Sequence, residues 1–171
     1  CIRDSHKGVL IGKTGDGVVG GFASTHDALA AAVVSQRALL TENWGSIPEL
    51  LVRMGIHAGP VFRRGDEYHG RGLNLSSRLH AAGHGGQILV SDVAAHLLDD
   101  QVPAPLELTD LGMHRLRDFA EPIRIHQVGG PGLPAEFPRL RSKETGPAPL
   151  PAPPSRPIGR DTEIVQLGRL I

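Results

Sequence analysis

Proline is crowded into one end of this chain, and that limits where it can fold. Nine of the 14 prolines lie between Pro131 and Pro157. Proline lacks an N–H and fixes φ, so such a stretch suits neither a helix interior nor a central strand. The segment 143–157, KETGPAPLPAPPSRP, has the composition of an extended, semi-rigid linker with almost nothing to bury. The globular part is therefore expected over 1–141, a linker over 142–157 and the start of a second domain over 158–171. In that last piece Asp161 can cap a helix, with Ile164, Leu167 and Ile171 on one face. The chain opens on Cys1 with no basic-then-apolar leader, and is read as a piece of something longer.

Charge and cysteine narrow the function class. Lys plus Arg number 18 and Asp plus Glu number 18, giving no net charge. That excludes binding through a general positive field, so no direct nucleic-acid contact is expected. One cysteine excludes a disulfide framework and a Cys-rich zinc module, and fits a reducing, cytoplasmic setting. No run approaches 18 apolar residues, so no membrane span is expected.

Within 1–141, apolar runs alternate between strand and helix periods. Val9–Ile11 and Val18–Phe22 flank Thr14-Gly15-Asp16-Gly17, which reads as a hairpin. Ser24 or Thr25 caps a helix to about Glu42, with Leu29, Ala32, Val33 and Leu40 inward. Leu50–Ala58 reads as a buried strand, followed by a polar loop from Arg63. Residues 72–82 suit a helix ended by Gly83, with Leu73, Ser77 and Ala81 facing the sheet. Gln87–Val90, Leu106–Leu116 and Ile123–Val128 read as strands, with a short helix from Ser91-Asp92 to about Leu98. The mixture lacks regular βαβ spacing and predicts an α+β sandwich, an antiparallel-rich sheet covered by helices on one face.

Two segments carry chemistry. Asp16, in a tight turn between two glycines, is an exposed carboxylate suited to a divalent cation that also carries phosphates; Asp-Gly is equally the ordinary hairpin pair. Asn74 and Arg78 are four apart, so they share a helix face. An amide and a guanidinium projecting together can orient a hydroxyl and neutralise a phosphoryl oxygen. A phosphate loop over Gly8–Thr14 is disfavoured. Only three residues separate Gly8 from Gly12-Lys13-Thr14, and they are Val, Leu and Ile. His80 and His84 could share a helix face, but no Cys lies nearby and zinc is disfavoured. Trp44 and Phe22 read as packing residues.

Taken in order, TGDG, RMGIHAGPV, YHGRGLNLSSRLHAAGHGGQILVS and LTDLGMHRLRDFAEPIRIHQV resemble the catalytic domain of class III nucleotidyl cyclases. The resemblance covers about residues 8–141. The piece Pro157–Ile164 is similar, over a shorter stretch, to the entry of the signalling ATPase module that follows such domains in large actinobacterial regulators. The resemblance implies a ferredoxin-like α+β sandwich and a head-to-tail homodimer. It implies a nucleoside triphosphate substrate, ATP favoured, and two divalent cations, Mg²⁺ or Mn²⁺. It implies that Asp16 is a metal ligand, that Asn74 orients the ribose and that Arg78 stabilises charge on the α-phosphate. Arg117 falls near the position of a terminal-phosphate lysine.

Three departures stand out. The other metal aspartate belongs to a first strand that, with the first helix, is expected to lie outside this chain; Asp4 lacks the apolar strand around it. The adenine-reading lysine position is Gly12, with Lys13 adjacent but on the opposite strand face unless a bulge re-aims it. The partner aspartate position is Glu67, one methylene longer, with Asp66 beside it. These leave two readings open. One is a cyclase with relaxed base selection, inactive as this piece alone. The other is a degenerate domain that senses nucleotide or dimerises to control a downstream domain.

Overall fold

The computed structural model describes residues 6–15, 17–46, 49–65, 67–98 and 102–144. The linker beyond Glu144, the second-domain start, Cys1, Asp4, Asp16 and Asp66 lie outside the described residues.

Among the described residues twelve elements succeed one another. They are β1 (Val9–Thr14), β2 (Gly17–Gly21), α1 (Thr25–Thr41), β3 (Met54–Ile56), β4 (Phe62–Arg64), β5 (Glu67–His69) and α2 (Arg71–Ala82). Then come β6 (Ile88–Ser91), α3 (Asp92–Leu98), β7 (Glu107–Arg115), β8 (Ile123–Gly129) and β9 (Lys143–Glu144). The central sheet has the order β3-β6-β8-β7-β9. Its β3–β6 pair is parallel and the other pairs are antiparallel. The two-residue β9 pairs with β7, so sheet structure reaches Glu144.

Local chemistry sets the element ends. Ser24 caps α1, its Oγ accepting the Asp27 N–H at 3.0 Å. Both short hairpins close beside a glycine with positive φ. β1 and β2 close at Thr14↔Gly17 with Gly15 at φ +60°, and β4 and β5 close at Arg64↔Glu67 with Gly65 at φ +63°. Glycine adopts that left-handed backbone without a Cβ penalty. The segment read as a polar loop from Arg63 is thus a second hairpin. In β7 a bulge between Asp110 and Met113 places Gly112 at φ +89°, and Asp110 accepts the Gly112 N–H at 2.8 Å.

Helices cover both faces of the sheet, a correction to the one-face expectation. Leu29 and Val33 of α1 and Ala94 and Leu98 of α3 cluster with Ile56, Ile88, Val90 and Val128. Leu75, Leu79 and Ala82 of α2 cluster with Leu89, Leu116 and Ile125. Alternate residues of β6 serve the two clusters, and all four of its residues are buried. A continuous apolar run of this kind marks a strand covered on both sides. The buried stripe of α2 is likewise Gly72, Leu75, Leu79 and Ala82, while Ser77 is exposed and Leu73 and Ala81 are half-buried. Sheet contact is made by this i, i+3, i+7, i+10 stripe, whose two leucines outweigh the Leu73–Ser77–Ala81 row. Only Met54–Ile56 of the expected Leu50–Ala58 strand is ladder-paired.

Candidate active site

Helix α2 presents the chemistry. Its start is held by close backbone approach: a Cβ on Gly70 would lie 2.8 Å, and on Gly72 3.2 Å, from the Pro60 carbonyl oxygen. Its middle rests on β3, where a Cβ on Gly55 would lie 2.7 Å from the His80 nitrogen. Ser76 Oγ donates to the Gly55 carbonyl at 3.5 Å. With Leu75 and Leu79 turned into the core, Asn74 is exposed and Arg78 half-exposed on the other side.

Arg71, Asn74 and Arg78 form one stripe at i, i+3, i+7. The loop after β7 lies along it. Arg78 Nη2 donates to Asp118 Oδ2 at 2.5 Å, and the Arg71 guanidinium sits 5.5 Å over the Phe119 ring. Arg117 is exposed, its Nε 3.9 Å from Asp118 Oδ1. Thus Arg78 and, through Asp118, Arg117, some forty positions apart in the chain, are brought together where Leu116 clusters with Leu75 and Leu79. A cleft of about 700 Å³ opens on the Arg117–Asp118 loop, lined by Arg115, Arg117, Asp118, Phe119, Arg141 and Ser142 and by no residue of α2. Its three arginines suit an anion.

The other predicted residues form a second grouping. The β1–β2 hairpin lies against β5, which brings the hairpin of Gly12 and Lys13 to the strand of Glu67. Gly12 is half-buried with nothing within 4 Å of where a Cβ would be; Lys13 and Glu67 are exposed. A bulge does occur in β1, between Leu10 and Gly12. It precedes the pair: Gly12 and Lys13 face successive partners, Val19 and Val18, so their side directions still alternate. Glu67 Oε2 is 3.4 Å from His69 Nε2. Asp16, the metal-ligand candidate, lies outside the described residues. Among the described residues no group of three or more His, Cys, Asp or Glu can hold a metal ion.

Sequence reasoning missed Arg71, Asp118, Arg115 and Arg141. The i, i+3, i+7 spacing could have added Arg71 to Asn74 and Arg78. The others depend on how the β7–β8 loop and the tail after β8 fall against α2, for which no local pattern exists. A second cavity, about 250 Å³, is lined by His57, Ser91, Asp92 and Arg124 among others. There His57 Nδ1 is 2.8 Å from Ser91 Oγ, and burial pushes the imidazole pKa down. His84 Nε2 is 3.0 Å from the Arg139 carbonyl oxygen, a tertiary contact between the end of α2 and the segment after β8. Trp44 is half-buried and donates to the Leu39 carbonyl at 3.1 Å; Phe22 is half-buried. Among the described residues no helix is long and apolar enough to cross a membrane.

No family model matches the chain. An uncharacterized protein of Mycobacterium tuberculosis is 34% identical over 151 residues, 88% of this chain and 50% of that protein. A putative adenylate cyclase of Rhizobium meliloti is 26% identical over 153 residues, 88% of this chain and 25% of that protein. The chain therefore spans at most half the length of these curated relatives. Adenylate cyclases from Trypanosoma brucei, described in their monomeric state, superpose with a TM-score of 0.71 at 22% identity, over 82% of this chain and 77% of theirs. An adenylate/guanylate cyclase/hydrolase from Silicibacter pomeroyi superposes with a TM-score of 0.66 at 29% identity, over 74% of this chain and 73% of its own. The chain thus has the fold of the class III adenylate/guanylate cyclase catalytic domain and has homologues among adenylate cyclases.

Proposed function

We propose that this chain contributes the catalytic domain of a nucleotidyl cyclase that converts a nucleoside triphosphate, ATP favoured, into a cyclic nucleotide and pyrophosphate. The observation that carries this reading is the solvent-facing Asn74–Arg78 pair on α2, its Arg78 joined to Asp118 of the loop after β7, in a cyclase fold. In the reaction the ribose 3′-oxygen bonds to the α-phosphorus, the bond to the β-phosphate bridging oxygen breaks, and the hydroxyl proton is lost. Asn74 would orient the ribose. The fixed charge of Arg78 would offset charge developing on the α-phosphoryl oxygens, and Arg117 would meet the terminal phosphates.

Glu67 would accept from an exocyclic amino group of the base. Gly12 offers no donor, which supports relaxed base selection. Bound Mg²⁺ or Mn²⁺ would neutralise phosphate oxygens and acidify the 3′-hydroxyl. Asp16, in its Gly-Asp turn, would supply one ligand. The described residues do not complete the set, so a second aspartate is proposed from a strand outside this chain. The open edge of β3, paired only with β6 among the described strands, supports room for it.

A head-to-tail homodimer is part of the proposal. Val9, Val18 and Phe62 on the two hairpins are 54%, 69% and 67% exposed, an apolar surface that burial against a second copy would remove from water. A nucleotide substrate and a lone cysteine favour a cytoplasmic setting. The absence of a donor at Gly12 equally favours a degenerate, nucleotide-sensing domain, and turnover separates the two. In the full-length protein, Asn74→Ala and Arg78→Ala should each lower cyclic-nucleotide production by about 10²–10³-fold. Unchanged production in the double variant would refute the assignment of turnover to this site, and no production by wild type would refute the enzymatic reading.

A further inference from the structure

Asp118 is out of keeping with the site it occupies. Resting on the reading of Arg78 and Arg117 as phosphate-binding groups, a carboxylate between them is a competitor for their ligand. Its two oxygens engage different guanidiniums: Oδ2 accepts from Arg78 Nη2 at 2.5 Å, and Oδ1 lies 3.9 Å from Arg117 Nε. One anion bridging two arginines is the arrangement a phosphate group would make.

The backbone is bent to deliver it. Asp118 has φ +66°, a left-handed conformation that aspartate and asparagine adopt more readily than other non-glycine residues. The turn around it is pinned on both sides. Leu116 is buried against Leu75 and Leu79, the Phe119 N–H donates to the Leu116 carbonyl at 3.2 Å, and the Phe119 ring lies under Arg71. A left-handed residue held by well-packed neighbours at a candidate site points to a role there. The pair is also accessible: the Arg78 and Asp118 side chains are 40% and 58% exposed, so an incoming anion can reach both.

We propose that Asp118 is an internal stand-in for phosphate. It holds the Arg78 and Arg117 guanidiniums in position while the site is free of nucleotide. Polyphosphate, with more charge and more acceptor oxygens, displaces the carboxylate on binding. Asp118 thereby sets the concentration at which nucleotide engages the site.

The test is calorimetric titration of the full-length protein with inorganic tripolyphosphate, in wild type, Asp118→Asn, Arg78→Ala and the double variant. Asparagine keeps the size and tolerates the left-handed backbone. Asp118→Gly, which relieves that backbone, is the second variant should Asp118→Asn fold poorly. Either substitution should tighten tripolyphosphate binding by about 2–5-fold, the range set by an exposed ion pair, and lower KM for nucleotide by the same factor. The gain should vanish in the Arg78→Ala background. Unchanged or weaker binding, a gain that survives without Arg78, or no measurable binding by either protein would overturn the proposal. Turnover read on the same proteins keeps the two ideas apart. If wild type turns over neither ATP nor GTP while Asp118→Asn still tightens tripolyphosphate binding, the cyclase reading fails and this one stands. If Arg78→Ala abolishes turnover and Asp118→Asn changes no affinity, the reverse holds.

Discussion

Gly55 is where stability and chemistry meet, and Gly55→Ala tests the link. The residue lies in β3, paired with Leu89, and the Met54 N–H donates to the Gln87 carbonyl at 2.9 Å. Its neighbours Met54 and Ile56 pack into the α1 side of the core, so the strand cannot retreat in that direction. A Cβ would stand 2.7 Å from the His80 nitrogen, 3.0 Å from its Cβ and 3.1 Å from its Cα, all atoms at the helix backbone. Ordinary contact begins at 3.4 Å, so α2 must rise by about 0.7 Å. A gap of that size forfeits about a quarter to a half of each contact well beneath Leu75 and Leu79. Overpacking costs about 1–3 kcal/mol, and alanine recovers about 0.4–1 kcal/mol by restricting the unfolded chain. The net loss should be about 1–2 kcal/mol, read from urea unfolding followed by far-UV circular dichroism. Because α2 carries Asn74 and Arg78, the same shift should lower turnover by up to about 10²-fold. Gly12→Ala is the control, since nothing lies within 4 Å of its Cβ position and it should stay within about 0.5 kcal/mol of wild type. A Gly55→Ala protein as stable as wild type, or a Gly12→Ala protein equally destabilised, would refute the reasoning.

Other perturbations draw on the same geometry. Leu79→Ala, which empties a fully buried site under Arg78, should cost about 2–5 kcal/mol in denaturant unfolding. Ser24→Ala, which removes the α1 cap, should cost about 1 kcal/mol by the same measurement. Burial lowers the His57 pKa below its ordinary 6.5, so the unfolded chain binds the proton more readily. The stability owed to neutral His57 is complete above pH 6.5 and is lost as pH falls through the lowered value; His57→Gln should flatten that part of the stability–pH curve. Gly12→Lys, entering open space, should raise the ATP-over-GTP turnover ratio about tenfold; an unchanged ratio would show that Gly12 does not face the base.

Much of the secondary structure was legible locally, because it rests on short-range chemistry. The Ser24 cap, the Gly-Asp turn before β2, the Gly83 stop and the apolar runs of β6 and β8 each act within a few residues. The hairpin at Arg64–Glu67 had the same Gly-Asp signal as the first and was hidden by its polar strands. Choosing Leu73, Ser77 and Ala81 as the inner face of α2 failed because burial follows the larger apolar area, which belongs to Leu75 and Leu79.

The site divides along the same line. Sequence alone determined that Asn74 and Arg78 share a helix face, since 3.6 residues per turn leaves no alternative for positions four apart. It also determined that Gly12 offers no side chain to a base. Tertiary structure decided which way that face looks, because Leu75 and Leu79 find their apolar partners on the sheet and send Asn74 and Arg78 toward solvent. It also decided that Arg117 and Asp118 join them. Contacts across forty positions come from Leu116 entering the α2 core, and a buried leucine gains nothing from its neighbours in sequence, only from the surfaces the fold brings around it.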